Sequence, residues 1–139
     1  MTAAPVTEQR LAIAALLSEI PDCHAYALHP GNIAPPALWP WPVGDSEDFV
    51  FDGSVGERYF QIIGVASKGG GLGGAQSVLD AWTSRTGTQS VRAALLTDPT
   101  LNGTALGILE IRHQGSGEMI LNDLPFLGAT WLVTVLVEG

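Results

Sequence analysis

Apolar positions recur with helical spacing at the start of the chain: Ile13, Leu16, Leu17 and Ile20 fall on one side of the Thr7 to Ile20 segment, with Glu8, Ala12, Ala15 and Glu19 opposite. Thr7 is placed to act as N-cap, Glu8 suits the positive first turn, and Pro21 stops the helix. A short extended stretch, Cys23 to Leu28, then breaks at His29-Pro30-Gly31. From Pro30 to Pro42 five prolines surround Trp39 and Trp41. Proline fixes φ and has no N–H, which predicts an extended, irregular segment rather than a helix or a central strand.

Asp45, Glu47 and Asp48 lead into a short strand, Phe49 to Phe51, followed by an Asp52-Gly53 turn and a longer aromatic and β-branched strand, Arg58 to Ser67. A glycine loop, Lys68 to Gly74, precedes a helix over Ala75 to Arg85 with Val78, Leu79 and Trp82 on one face and Gly87 as its C′ residue. A second short helix runs from Gln89 to Thr97, buries Val91 and Leu95, and ends at Asp98-Pro99. A turn around Asn102-Gly103 leads to Ile108 to His113, a hairpin turn at Gly115-Ser116-Gly117, and Met119 to Leu121. In the last segment, Phe126 to Val137, Trp131, Val133, Val135 and Val137 share one face, while Phe126, Leu132, Leu136 and two threonines share the other. Apolar residues on both faces predict that both are at least partly covered. These elements make one domain over residues 1–139: α+β, a mainly antiparallel sheet flanked by about three helices, with no internal repeat and no dividing linker.

Composition narrows the function. At 139 residues, 46% hydrophobic and 14% charged, the chain can bury a core without a metal or disulfides. Its single cysteine, Cys23, cannot form an internal disulfide, so an intracellular address is expected. Fourteen acidic residues against six basic ones give a net charge of −8, and Lys68, Arg10, Arg58, Arg85, Arg92 and Arg112 are scattered singly. That balance disfavours nucleic-acid binding and attraction to anionic membranes. The longest apolar runs, Leu11 to Leu17 and Leu132 to Val137, are too short to span a bilayer, and no basic n-region marks a signal peptide.

Candidate chemistry is sparse. Gly69, Gly71 and Gly74 spell GxGxxG between a strand and a helix, but the acidic residue and the βαβ alternation of a dinucleotide site are missing. His24, His29, His113 and Cys23 lack a zinc spacing, and Asp45, Glu47 and Asp48 lack the remaining ligands and glycine bend of a calcium loop. Gly115-Ser116-Gly117 is not a nucleophile elbow. No catalytic, cofactor or metal residue is expected. Trp39 and Trp41 either form a partner surface or fold back as a lid over the sheet.

The order of segments resembles the tail terminator proteins, also called tail completion or minor tail proteins, of long-tailed bacteriophages, especially those of actinobacteria. The resemblance spans nearly the whole chain. It rests on the N-terminal helix, PGNIAPPALWPWP, GVAS, AQSVLDAW and, most specifically, SVRAALLTDPTLNG and the closing FLGATW. The KGGGLGG loop departs from the shorter, more polar connection expected there. The resemblance implies a structural virion protein of the tail neck, without catalysis, assembled in the host cytoplasm. Its members form a hexameric ring that caps the tail tube, ends its polymerisation and receives a head completion or stopper protein. Trp39, Trp41, Lys68, Gly70, Gly71 and Leu72 are then the candidate partner contacts. Six copies at −8 each carry −48, and Asp45, Glu47 and Asp48 are candidates for an acidic lumen through which genomic DNA slides without binding. The rival readings are a different neck protein, a stopper or adaptor, and a small nucleotide-binding enzyme using the glycine loop.

Overall fold

A five-stranded sheet carries three helices on one face. The computed structural model describes residues 6–21, 23–27, 31, 35–45, 55–66, 72–121 and 123–138. In chain order these are α1 (Val6–Leu17), β1 (His24–Ala25), β2 (Ala37–Asp45), β3 (Val55–Ala66), α2 (Leu72–Thr83), α3 (Val91–Leu96), β4 (Gly107–Leu121) and β5 (Leu124–Glu138). The strand order is β1-β2-β3-β5-β4. The α+β class stands, but the sheet is mixed rather than mainly antiparallel: β1 runs parallel to β2, while the β2–β3, β3–β5 and β5–β4 pairs are antiparallel.

Strand β2 corrects the expectation for the proline and tryptophan segment, since Ala37 to Asp45 pairs with β3 from Ala37↔Val65 to Asp45↔Arg58. The prolines are tolerated because of where their nitrogens point. His24 N–H donates to Pro36 O at 2.8 Å and Tyr26 N–H to Leu38 O at 3.0 Å, so the even-numbered residues aim their main-chain groups at β1. Main-chain groups alternate along a strand. Pro40 and Pro42 therefore face the β1 side, and Trp39 and Trp41 keep their N–H groups toward β3. The next rung toward β1 needs a donor at position 40, which proline lacks. Pairing of β1 accordingly ends after two residues.

Strand β4 corrects a second expectation. Gly115-Ser116-Gly117 is no turn, because β4 pairs with β5 on both sides of it, from Gly107↔Leu136 to Leu121↔Leu124. The register slips between His113 and Gly115, and Gly115 adopts φ 152, so the glycine marks a bulge. The real reversal lies between Leu121 and Leu124, where Asp123 has φ 63, as a two-residue hairpin loop requires. Helix ends shift as well. Thr7 lies inside α1 rather than capping it, and after Leu17 the chain tightens into three-residue turns, Glu19 N–H to Leu16 O and Ile20 N–H to Leu17 O. Helix α2 starts at Leu72, three residues before the expected Ala75, so Gly73 and Gly74 are helical. It stops at Thr83, which leaves Gly87 (φ 105) four residues beyond rather than at C′. Strand β3 begins at Val55, and the expected strand Phe49 to Phe51 and turn Asp52-Gly53 lie outside the described residues.

The main core lies between helices and sheet. Ile13, Leu17 and Ile20, then Leu79 and Trp82, then Val91, Leu95 and Leu101 pack on Phe60, Ile62, Trp131, Val133, Val135 and Val137, all buried. Gly64 makes the close fit possible: a Cβ there would sit 2.6 Å from Leu38 Cδ2 and 2.9 Å from the Trp82 ring. On the opposite face Ala37, Trp39, Val65 and Phe126 form a second buried cluster, flanked by Tyr26, Ile63, Met119 and Leu121. Both faces of β5 thus meet apolar neighbours, as its residue pattern requires. A polar clasp ties α1 to the sheet: buried Arg58 Nη1–H donates to buried Gln9 Oε1 at 2.7 Å, and Gln9 Nε2–H donates to Thr104 O at 2.9 Å.

Candidate interaction surfaces

The two tryptophans share one strand face but have different roles. Trp39 is fully buried in the second cluster, whereas Trp41 is 49% exposed one turn of the pleat further on, opposite Gln61. Lys68, Gly70 and Gly71 lie outside the described residues, as do Glu47 and Asp48; Leu72 begins α2, and Asp45 ends β2 opposite Arg58. Of the GxGxxG glycines, Gly69 and Gly71 are outside the described residues and Gly74 lies in the first turn of α2.

The titratable side chains are dispersed. Cys23 is half-buried, and burial pushes its thiol from 9.0 up to about 11. His24 stacks on Tyr26 with ring centroids 6.5 Å apart. His113 Nε2 lies 3.0 Å from Ser116 Oγ, a contact the β4 bulge creates. No group of three or more metal-ligating side chains converges among the described residues, and no helix there is long and apolar enough to cross a membrane.

Among the concave surfaces that the helices line, two differ in charge. The larger, about 920 Å³, runs between the outer side of α1 and the segment joining α3 to β4. Its floor is Leu11, Ala12, Ala15 and Leu16, its edges carry Glu8, Glu19 and Asp98, and Leu11 is 56% exposed. Seven consecutive apolar residues, Leu11 to Leu17, make α1 apolar all round, so packing one side on the sheet leaves the other side apolar too. The facing segment is held rigidly. Asp98 accepts from Thr100 Oγ1 at 2.8 Å and Asn102 N–H at 2.9 Å, bonds that keep its carboxyl below the usual carboxylate range. They brace three successive left-handed residues, Leu101 (φ 51), Asn102 (φ 58) and Gly103 (φ 79), of which Leu101 is buried.

The smaller cleft, about 320 Å³, has the opposite charge. Arg85 from the α2–α3 connection, Arg92 from α3, and Arg112 with His113 from β4 line it together with Glu110 and Trp131. Arg112 lines it by its backbone position: strand alternation puts its side chain, with Glu110 and Leu132, on the sheet face opposite His113 and Trp131. Ser90 sets the position of Arg92: its hydroxyl caps α3 by accepting from Ala93 N–H at 3.1 Å and itself donates to Ser84 O. His113 lies against the buried Trp131 ring, centroids 5.8 Å apart. Arg85 and Arg92 come from separate elements, and no sequence spacing announces that both border β4.

The two sheet edges also differ. Beyond Leu38, β2 has β3 alone beside it among the described residues, and its outer side carries Pro40 and Pro42. Strand β4 is the other edge, fifteen residues without a proline, with Leu109 and Ile120 (74% exposed) on it and exposed Leu106 just before it. Comparison with protein-family models and with curated proteins finds no match to this chain.

Proposed function

We propose that this chain is a structural subunit of a long-tailed phage neck, a tail terminator that assembles as a hexameric ring, caps the tail tube, ends its polymerisation and presents the surface on which head completion proteins dock. The observation that carries the reading is the unequal pair of sheet edges, one blunted by Pro40 and Pro42 and the other, β4, long, proline-free and bordered by exposed Leu106, Leu109 and Ile120. A ring needs this kind of asymmetry. Its subunits meet through unlike surfaces that close on themselves, and two equally adhesive edges would favour open sheet growth. The segment resemblance, from PGNIAPPALWPWP to FLGATW, supplies the specific role. The net charge of −8 per chain suits a channel that lets DNA pass without holding it, with Asp45, Glu47 and Asp48 the proposed lumen carboxylates. Trp41, with Lys68, Gly70 and Gly71 of the glycine-rich stretch and Leu72 at the start of α2, are the proposed contacts to tube or head proteins, and Trp39 supports Trp41 from within the sheet.

Tail-tube subunits of the same virion, polymerised with and without this protein and measured by electron microscopy, test the role. Shorter tubes of narrow length distribution, each bearing a cap at one end, are expected. Tubes of unchanged length that bind none of the protein overturn the reading, and binding to the portal side alone transfers the chain to the stopper or adaptor class.

A further inference from the structure

The groove beside α1 is apolar along its floor and acidic along its rim. By helical spacing Glu8, Leu11, Ala12, Ala15 and Glu19 follow one side of α1 and the turn after it, with a carboxylate at each end and apolar residues between. Leu11 and Ala15 are both exposed, so this floor meets water. Asp98 adds a third carboxylate from the facing wall, and among the described residues no Lys or Arg lines the groove. Arg10, the one cation of α1, falls on the opposite flank of the helix. A smaller hollow of about 220 Å³ shares Glu19 and Thr97 and carries the groove on toward Ala93 and Ala94 of α3, again without a lining cation among the described residues.

The walls decide what form of chain can enter. Along its middle, α1 has its main-chain groups bonded within the helix. On the facing wall Leu101 N–H donates to Asp98 O at 3.1 Å, Asn102 N–H to Asp98 Oδ2 at 2.9 Å, and Thr104 N–H to Leu101 O at 3.2 Å. With no free strand edge on either side, a segment in the groove is held through side chains, which is how an amphipathic helix docks. Ala12 and Ala15 are small enough to let a second helix axis come close. Glu8 and Glu19 stand eleven residues apart, about 17 Å along the axis, or three turns of a partner helix. Cations at both ends of a three-turn apolar stripe then reach the rim. A second copy of this chain offers no such helix, since its six cations are scattered and α1, α2 and α3 hold one, none and one of them.

We propose that this groove is the docking site for a basic amphipathic helix of a different protein, its apolar stripe seated on Leu11, Ala12 and Ala15 and its Lys or Arg side chains set against Glu8, Glu19 and Asp98. None of these residues belongs to β4, to β2 with its Trp41, or to the glycine-rich stretch, so the site stands independently of the neck reading.

Fluorescence anisotropy of the full chain at low salt tests it, with a labelled helix-forming peptide of about eighteen residues that carries Leu at i, i+3, i+4 and i+7 and Lys at both ends of that stripe. Micromolar binding is expected, weakened about tenfold when the lysines become Glu, and about fivefold by Glu8→Gln with Glu19→Gln. Ala15→Gln fills the centre of the floor with a good helix former and should weaken binding about tenfold. All three positions are exposed, so unchanged far-ultraviolet circular dichroism is expected of these variants. A proline at the centre of the peptide should abolish binding, which reads helix docking with no change to the protein. No binding of the parent peptide, or equal binding of the charge-reversed or proline peptide, overturns the proposal, as does an Ala15→Gln protein that binds as the parent does. So does tighter binding of phosphatidylcholine vesicles than of the peptide, which would make the floor a lipid contact. A lower mass of the peptide-free Ala15→Gln protein in light scattering also overturns it, by identifying the occupant as a second copy.

Discussion

The two edges of the sheet solve one problem in opposite ways. At β2, Pro40 and Pro42 remove the donors on the outer side, and β1 pairs over His24 and Ala25 alone before the missing N–H of Pro40 ends it. At β4 the donors remain, and local irregularity divides the edge into short regular runs instead. A proline edge is closed to every strand, whereas a bulged edge still admits a short one. The difference teaches that the first edge is protected and the second stays open to pairing over short regular runs.

Substitutions on each side sharpen the contrast. The largest effect is expected at Gly64, under Leu38 of the closed side: Gly64→Val forces a Cβ to within 2.6 Å of Leu38 Cδ2 and 2.9 Å of the Trp82 ring. Overpacking of this kind costs about 3 kcal/mol, read as a lower melting temperature and denaturation midpoint. Gln9→Ala comes next, at about 2 kcal/mol, since it removes an acceptor from the buried Arg58 guanidinium and a donor from Thr104 O. On the open side Ser90→Ala removes the α3 cap and should cost about 1 kcal/mol, read as a lower denaturation midpoint. Pro40→Val with Pro42→Val should leave stability within about 1 kcal/mol of the parent but restore two edge donors. Light scattering and thioflavin fluorescence should then report sheet-like association beyond the parent's own assembly; a mass and thioflavin signal equal to the parent's would show that the prolines do not guard this edge. Smallest is the Cys23 effect. Only the thiolate is alkylated, and burial raises the thiol to about 11, so the iodoacetamide rate should keep climbing with pH up to that value. A plateau near 9 would contradict the burial.

Much of the fold was legible where periodicity and burial agree. Ile13 and Leu17 of α1 with Ile20 of the turn after it, Val91 and Leu95 of α3, and the alternation of β5 all pack as their spacing requires. Reading failed where one residue type has two structural uses. Proline argues against a strand unless its nitrogen faces outward, and that direction is set by β1, which is far from Pro42 in sequence. Glycine signals a turn or a bulge with equal force, so Gly115-Ser116-Gly117 hid the length of β4, and glycines at 73 and 74 hid the start of α2. The surfaces were less legible than the fold. Trp39 and Trp41 stood out by type, yet a strand face that is buried at one and half open at the other separates them. The arginine cleft depends on which strand lies beside α3, information carried only by the completed topology.

The most direct measurement is the absolute mass of the protein in solution, by light scattering over a hundredfold concentration range, with negative-stain images of the largest species. A hexamer of the 14.6 kDa chain, seen as a closed ring, is the predicted result. A monomer at every concentration that stays monomeric when tail tubes are added would contradict the account.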